Sequence, residues 1–144
     1  MLFEEPDMAE LPQITVSSRD LARLEQLLES PELRRHPAAQ ALTGELNRAT
    51  VLPPEEMPAD VVTMNSQVTC VDESTGERHA ITLVFPRDAD AATGKVSVLA
   101  PVGSALLGLS VGQGIDWPGP NGRVLKLRVE SIQYQPEAAG NTGA

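Results

Sequence analysis

Aromatic side chains are scarce in this 144-residue chain: Phe3, Phe85, Trp117 and Tyr134 are the whole complement. Any core must therefore be aliphatic, built from Leu, Val, Ile and Ala, and a pocket that grips its ligand between stacked rings is hard to assemble. Cysteine is scarcer still: Cys70 is alone, so no internal disulfide can form, and a buried, inert thiol is the expected state. The only imidazoles, His36 and His79, have no second donor at ligand spacing, whereas zinc wants about four N or S ligands; no metal or other cofactor is expected. Basic residues are in deficit, 11 against 20 acidic, for a net charge of −9. Nucleic acid is held by Lys and Arg that displace phosphate counterions, so direct DNA or RNA binding is disfavoured. The negative charge suits steering to a basic partner surface, or serves only solubility. No apolar run approaches a membrane span, and Met1-Leu2-Phe3 leads into Glu4, Glu5 and Asp7 without a basic n-region. A cytoplasmic protein without membrane contact is expected.

Hydrophobic residues make up 41% of the chain, enough for one folded domain. Four regions are expected: a flexible acidic arm (1–13), a helical hairpin (14–53), a sheet body (54–136) and a flexible tail (137–144). Ser17-Ser18-Arg19-Asp20 offers a hydroxyl N-cap with an acid three residues on, and Leu21, Leu24, Leu27 and Leu28 follow at helical spacing up to Pro31. Pro37 suits the first turn of a second helix, with Ala38, Ala41, Leu42, Leu46 and Ala49 as its apolar face and Pro53-Pro54 as its end. Helices of roughly 13 residues at about 1.5 Å per residue give a projection of about 20 Å. LPPEEMPAD, from Leu52 to Asp60, reads as a stiff linker.

Beyond it the pattern turns to β. Strands are expected at Val61–Met64, Gln67–Val71, Arg78–Phe85, Lys95–Leu99 and Gly112–Trp117, with turns at Asp72–Glu77 and Pro118–Gly122. In the last strand Leu125, Leu127 and Val129 alternate with Lys126, Arg128 and Glu130; Ile132 breaks the parity, which predicts a β-bulge near Ser131 or a switch of face. The fold class is α+β: a short antiparallel hairpin, then a mainly antiparallel sheet carrying one short helix.

Catalytic constellations are hard to find. Gly103-Ser-Ala-Leu-Leu-Gly108 has the glycine spacing of a phosphate loop, but Leu109 stands where the phosphate-binding Lys belongs. Ser104 lacks a G-x-S-x-G setting, and the acid pairs Glu4-Glu5, Glu55-Glu56 and Asp72-Glu73 fall in arms or turns. The chain reads as a binding protein, not an enzyme. Between the helices Glu29, Glu32, Arg34 and Arg35 cluster at the tip, where the arginines suit an acidic or phosphate-bearing surface, or are simply solvated.

APVGSALLGLSVGQGIDW, followed by PGPNG and SIQYQPEAAG, resembles the C-terminal domain of the Gre transcript-cleavage factors, the GreA/GreB family. Its signature S-P-L-G-x-A-L-L-G-x-x-x-G-D-x-V is met by Pro101, Gly103, Ala105, Leu106, Leu107, Gly108 and Gly112, with Gln113 in place of the Asp. Closer still is a branch of that family named for regulating nucleoside diphosphate kinase, through PEEMPADVVTMNS (54–66), the APVG…ALLG run and YQPEAAG. The resemblance implies an FKBP-like body behind a shortened antiparallel coiled coil, and binding to RNA polymerase near its secondary channel. Docking would fall to Pro101, Val102, Gly103, Leu106, Leu107 and Gly108, although these residues serve equally as a packing device. Gre factors also deliver adjacent tip acids to a catalytic magnesium; here Ser30-Pro31 separates Glu29 from Glu32, so strong cleavage stimulation is not expected. The alternatives are a Gre-type cleavage factor, an FKBP-like prolyl isomerase, and an indirect regulator of nucleoside diphosphate kinase.

Overall fold

The computed structural model describes residues 12–118 and 122–140. The acidic arm through residue 11, the centre of the 118–122 turn and the last four residues lie outside them. Strand β1 (Thr15–Ser17) runs directly into helix α1 (Ser18–Leu28). Ser17 is the expected cap, extended at φ −78° and ψ 151°, and its Oγ accepts the Asp20 N–H at 3.0 Å. Leu24 is fully buried, and Leu21, Leu27 and Leu28 are half-buried beside it. Helix α2 (Pro37–Asn47) starts on Pro37, and His36 caps it by accepting the Ala38 N–H at Nδ1. Its buried side is Ala39, Leu42, Glu45 and Leu46; Ala41, expected there, is exposed. Arg48 holds the buried Glu45 carboxylate through Nη2 at 2.8 Å and Nε at 3.1 Å, which offsets the cost of taking that charge out of water.

Helix α2 stops at Asn47, well before Pro53, because Thr50–Leu52 forms strand β2 and pairs in parallel with β1. The register sets Thr15 beside Thr50 and Ser17 beside Leu52. The helical segment is thus clamped at its base, entering and leaving in the same direction. A straight helical hairpin would return antiparallel, so the chain must turn where strand and helix meet.

The body is a five-stranded sheet in the order β5 (Lys95–Ser97), β4 (Glu77–Val84), β3 (Gln67–Asp72), β7 (Val124–Tyr134), β6 (Gly114–Pro118). All neighbours are antiparallel except the edge pair β4–β5, which is parallel. The parity break in β7 is a bulge: Thr69 opposes Ser131 and Cys70 opposes Val129, leaving Glu130 as the extra residue, and a second shift follows at Gln133. The mixed α+β class expected from the sequence holds. One face of the sheet packs Val68, Cys70, Leu83, Leu127, Val129, Ile115 and Trp117 beneath helix α3 (Pro101–Leu106) and the segment after it. Ile14, Val16, Leu24, Leu42 and Leu46 join the same apolar cluster, so helices and sheet share one core.

Three expectations meet the same physical fact, burial. Val61–Met64 makes only a single bridge, Val61 with Ser110, and no strand; Val61, Val62 and Met64 are apolar because the segment is buried, and the buried Thr63 hydroxyl is hydrogen-bonded. The segment expected to be a flexible tail from 137 begins on a buried residue, since Glu137 is buried together with Gln135 and Pro136 before it. Met57 is likewise buried, inside the segment expected to be a linker.

Candidate functional site

The signature glycines answer the question their spacing raised. Gly108 has φ +84°, and a Cβ there would lie 2.7 Å from Ile14 Cβ and 3.2 Å from Thr15 N and O. Its bareness lets β1 cross the end of the α3 segment, where the Thr15 N–H donates to Gly108 O at 3.1 Å. A Cβ on Gly103 would fall 2.1 Å from Ser97 O, so α3 rests directly on the β5 backbone. Ser104 Oγ donates to Val98 O at 2.6 Å and fastens the same junction. These residues build the body. Of the expected docking set, Gly103, Leu106, Leu107 and Gly108 are buried; only Pro101, exposed, and Val102, half-buried, reach the surface. The buried side chains of this set pack inside the body, and Pro101 with Val102 is the part of it at the surface. Gln113, standing where the family has Asp, uses its Oε1 to accept the Ser110 N–H at 2.8 Å and closes the following turn.

At the hairpin tip Glu29, Glu32, Arg34 and Arg35 are all exposed, and among the described residues no ion pair joins them. Glu29 terminates α1, whereas Glu32 belongs to the next turn. Glu32 lines a cleft of about 780 Å³ between α1 with its tip and the body. Leu27, Leu33, Phe85 and Leu99 give the cleft apolar walls, and Arg23, Arg87, Glu32 and Asp88 supply its charge. Asn65 also lines it, in the left-handed region at φ +68°, with its N–H donating to Leu83 O. The remaining aromatics of the body are elsewhere: Trp117 is buried on β6 and Tyr134 is exposed at the end of β7.

A second polar site lies where α1, residues 61–66 and the C-terminal turn meet, and sequence reasoning missed it. Asp20, seen from the sequence as part of a cap, is 2% exposed, and its Oδ2 accepts the Met64 N–H at 3.1 Å. Glu137 accepts the Thr63 hydroxyl at Oε1, 2.8 Å, and pairs through Oε2 with Arg19 Nη2 at 3.3 Å. Because the Thr63 proton goes to Glu137, the Ser66 hydroxyl donates to Thr63 Oγ1 at 2.9 Å, and Ser66 Oγ in turn accepts the Thr63 N–H. Gln135 Nε2 donates to Pro58 O and Val61 O, anchoring the turn. Burial pushes the Asp20 carboxyl up to about 6; the Glu137 charge adds to that, and the Met64 N–H, Arg19 and Arg23 oppose it. The only sequence signal for this site was the YQPE closing segment, which matched the family without revealing its contacts.

Cys70 sits across from His79 in the β3–β4 ladder, but burial pushes its thiol up, away from the thiolate that nucleophilic chemistry needs. Among the described residues no group of three or more His, Cys, Asp or Glu is placed to hold a metal ion. No described helix is long and apolar enough to cross a membrane.

Comparison with known proteins places these features. Residues 57–134 match the family model described as transcription elongation factor, GreA/GreB, C-term, and residues 12–52 match that of the Rnk N-terminus. The regulator of nucleoside diphosphate kinase of Escherichia coli K12 is 48% identical over 130 residues, covering 90% of this chain and 96% of that protein. GreA of Thermodesulfovibrio yellowstonii is 32% identical over 96 residues, 67% of this chain and 60% of that protein. A solved structure titled prokaryotic transcription elongation factor GreA/GreB, from Nitrosomonas europaea, is 50% identical. It covers 85% of this chain and 99% of its own, with a TM-score of 0.68.

Proposed function

We propose, because this chain belongs to the GreA/GreB family of transcription elongation factors, that it is a non-catalytic, cytoplasmic regulator that binds RNA polymerase near the secondary channel without strongly stimulating transcript cleavage. The hairpin tip carries this reading. Helices of 11 residues, at about 1.5 Å per residue, reach only about 16 Å. Glu29 and Glu32 are split between a helix end and the following turn, and Glu32 faces the cleft beside Arg23. Magnesium needs several oxygens in octahedral array, and two separated carboxylates beside Arg34 and Arg35 are poorly arranged to deliver them. In finer terms the body is read as FKBP-like and the helices as a shortened antiparallel coiled coil. The tip and the Pro101–Val102 corner are the surfaces offered to the polymerase.

The test uses the whole chain, since the helices contribute to the shared core and deleting them would expose it. At low salt the protein should co-elute with purified core RNA polymerase, and halted elongation complexes should cleave their transcripts no faster with it than without it. Failure to associate refutes the reading, while cleavage on the scale of a Gre factor would establish the cleavage-factor alternative.

The name of the Escherichia coli relative favours a second reading, control of nucleoside diphosphate kinase. Kinase turnover measured with and without the purified chain distinguishes direct action from an effect through transcription. A prolyl isomerase gains no support from the placement of the aromatics, since among the described residues Phe85 is the one aromatic that lines the cleft.

A further inference from the structure

Three chain segments distant in sequence meet at Asp20 and Glu137: the Met64 N–H donating to Asp20 and the Arg19–Glu137 pair join the helical segment to the body, and Thr63 holds Glu137 from the body side. We propose that Asp20, Glu137, Arg19 and Thr63 form a proton-operated latch that fastens the helical segment to the sheet body, closed at mildly acidic pH and loosened as pH rises. The geometry supplies the bias. Two carboxylates occupy one water-excluded junction, with Asp20 2% exposed and the Glu137 side chain 1% exposed. From α1, Arg19 and Arg23 face Asp20; from the C-terminal turn, Glu137 faces it; residues 61–66 present the Met64 N–H and the uncharged hydroxyls of Thr63 and Ser66. Glu137 already accepts from Thr63 and Arg19. Ionising Asp20 therefore adds a second buried negative charge next to one whose donors are committed, and taking up a proton removes it.

The direction follows from the proton count. The folded chain holds the Asp20 proton up to about 6, whereas the carboxyl's ordinary value is 3.8. Between those values the folded state binds more protons than the unfolded one, so the contribution is fully present below 3.8 and is lost as pH rises through about 6. A displacement of about two pH units corresponds to about a 100-fold change in the folding equilibrium.

Site-resolved NMR titration of the full chain tests this directly. The Asp20 side-chain carboxyl carbon should titrate with a midpoint near 6, and E137Q should move that midpoint down. Hydrogen-exchange protection of the Met64 amide, corrected for the intrinsic rate, should fall between pH 5 and pH 7.5, while that of Val129 in the sheet stays level. In D20N the Met64 protection should be the same at both pH values. An Asp20 midpoint near 4, or Met64 protection that changes equally in wild type and D20N, would overturn the proposal. Should D20N fail to fold, the wild-type titration and the E137Q shift decide the matter.

Discussion

Replacing Gly108 with alanine should destabilise the chain through two separable contributions, and the structure says how the damage divides. At φ +84° an L-residue costs about 1–2 kcal/mol relative to glycine. The added Cβ must also fit 2.7 Å from Ile14 Cβ and 3.2 Å from the Thr15 backbone, in a packed junction that can move only by shifting β1. Overpacking of this kind costs about 1–3 kcal/mol, so the total is about 3 kcal/mol out of the roughly 5–15 kcal/mol that holds a domain folded. Other glycines separate the two contributions. Gly76 and Gly112 share the left-handed backbone, at φ +80° and +92°, but a Cβ on either meets nothing within 4 Å. Gly76→Ala and Gly112→Ala should each cost only the conformational share, about 1–2 kcal/mol. Gly103→Ala should cost mainly the steric share, because its Cβ would meet Ser97 O at 2.1 Å without a positive φ. Urea denaturation with an unchanged m-value measures all four. At about 2.1 cal/mol/K of unfolding entropy per residue, the 144-residue chain should lose about 10 °C of Tm for Gly108→Ala. If Gly108→Ala is no worse than Gly76→Ala and Gly112→Ala, the close approach of β1 is not what this glycine serves.

Leu24→Ala should destabilise by about 2–5 kcal/mol in the same assay, because Leu24 lies at zero exposure in the core shared by helices and sheet; a loss of helical circular dichroism with the sheet left intact would contradict that single core. Thr63→Val should cost about 1–3 kcal/mol by leaving Glu137 Oε1 buried without its donor, and an effect below a few tenths of a kcal/mol would mean the carboxylate finds water instead. The double variant Arg34→Ala/Arg35→Ala should leave stability within about 0.5 kcal/mol, both residues being exposed. The same variant should weaken co-elution with RNA polymerase, and unchanged association would remove the tip arginines from the contact.

What the sequence alone determined was local. The Ser17 cap, the leucine stripe of α1, Pro37 at the start of α2, the alternation of β7 and the bulge beside Ser131 each depend on residues within a few positions of one another, where spacing and propensity act directly. The family could be recognised for the same reason, since its signature is a contiguous run. Tertiary structure decided everything that needed a distant partner. Thr15–Ser17 and Thr50–Leu52 are too short to announce themselves as strands and exist because they pair with each other. Val61–Met64 has strand-like composition, but burial, not a ladder, is what it serves. Gly103 and Gly108 gave the spacing of a phosphate loop, and only the backbones of Ser97 and Thr15 against them show that they are there for close packing. Asp20 is marked in the sequence only as part of a cap and Glu137 only as part of the closing segment; they become a buried pair only when folding brings α1 and the C-terminal turn to either side of Thr63 and Met64. Sequence patterns record what a residue does to its neighbours along the chain, whereas burial and charge pairing depend on neighbours in space.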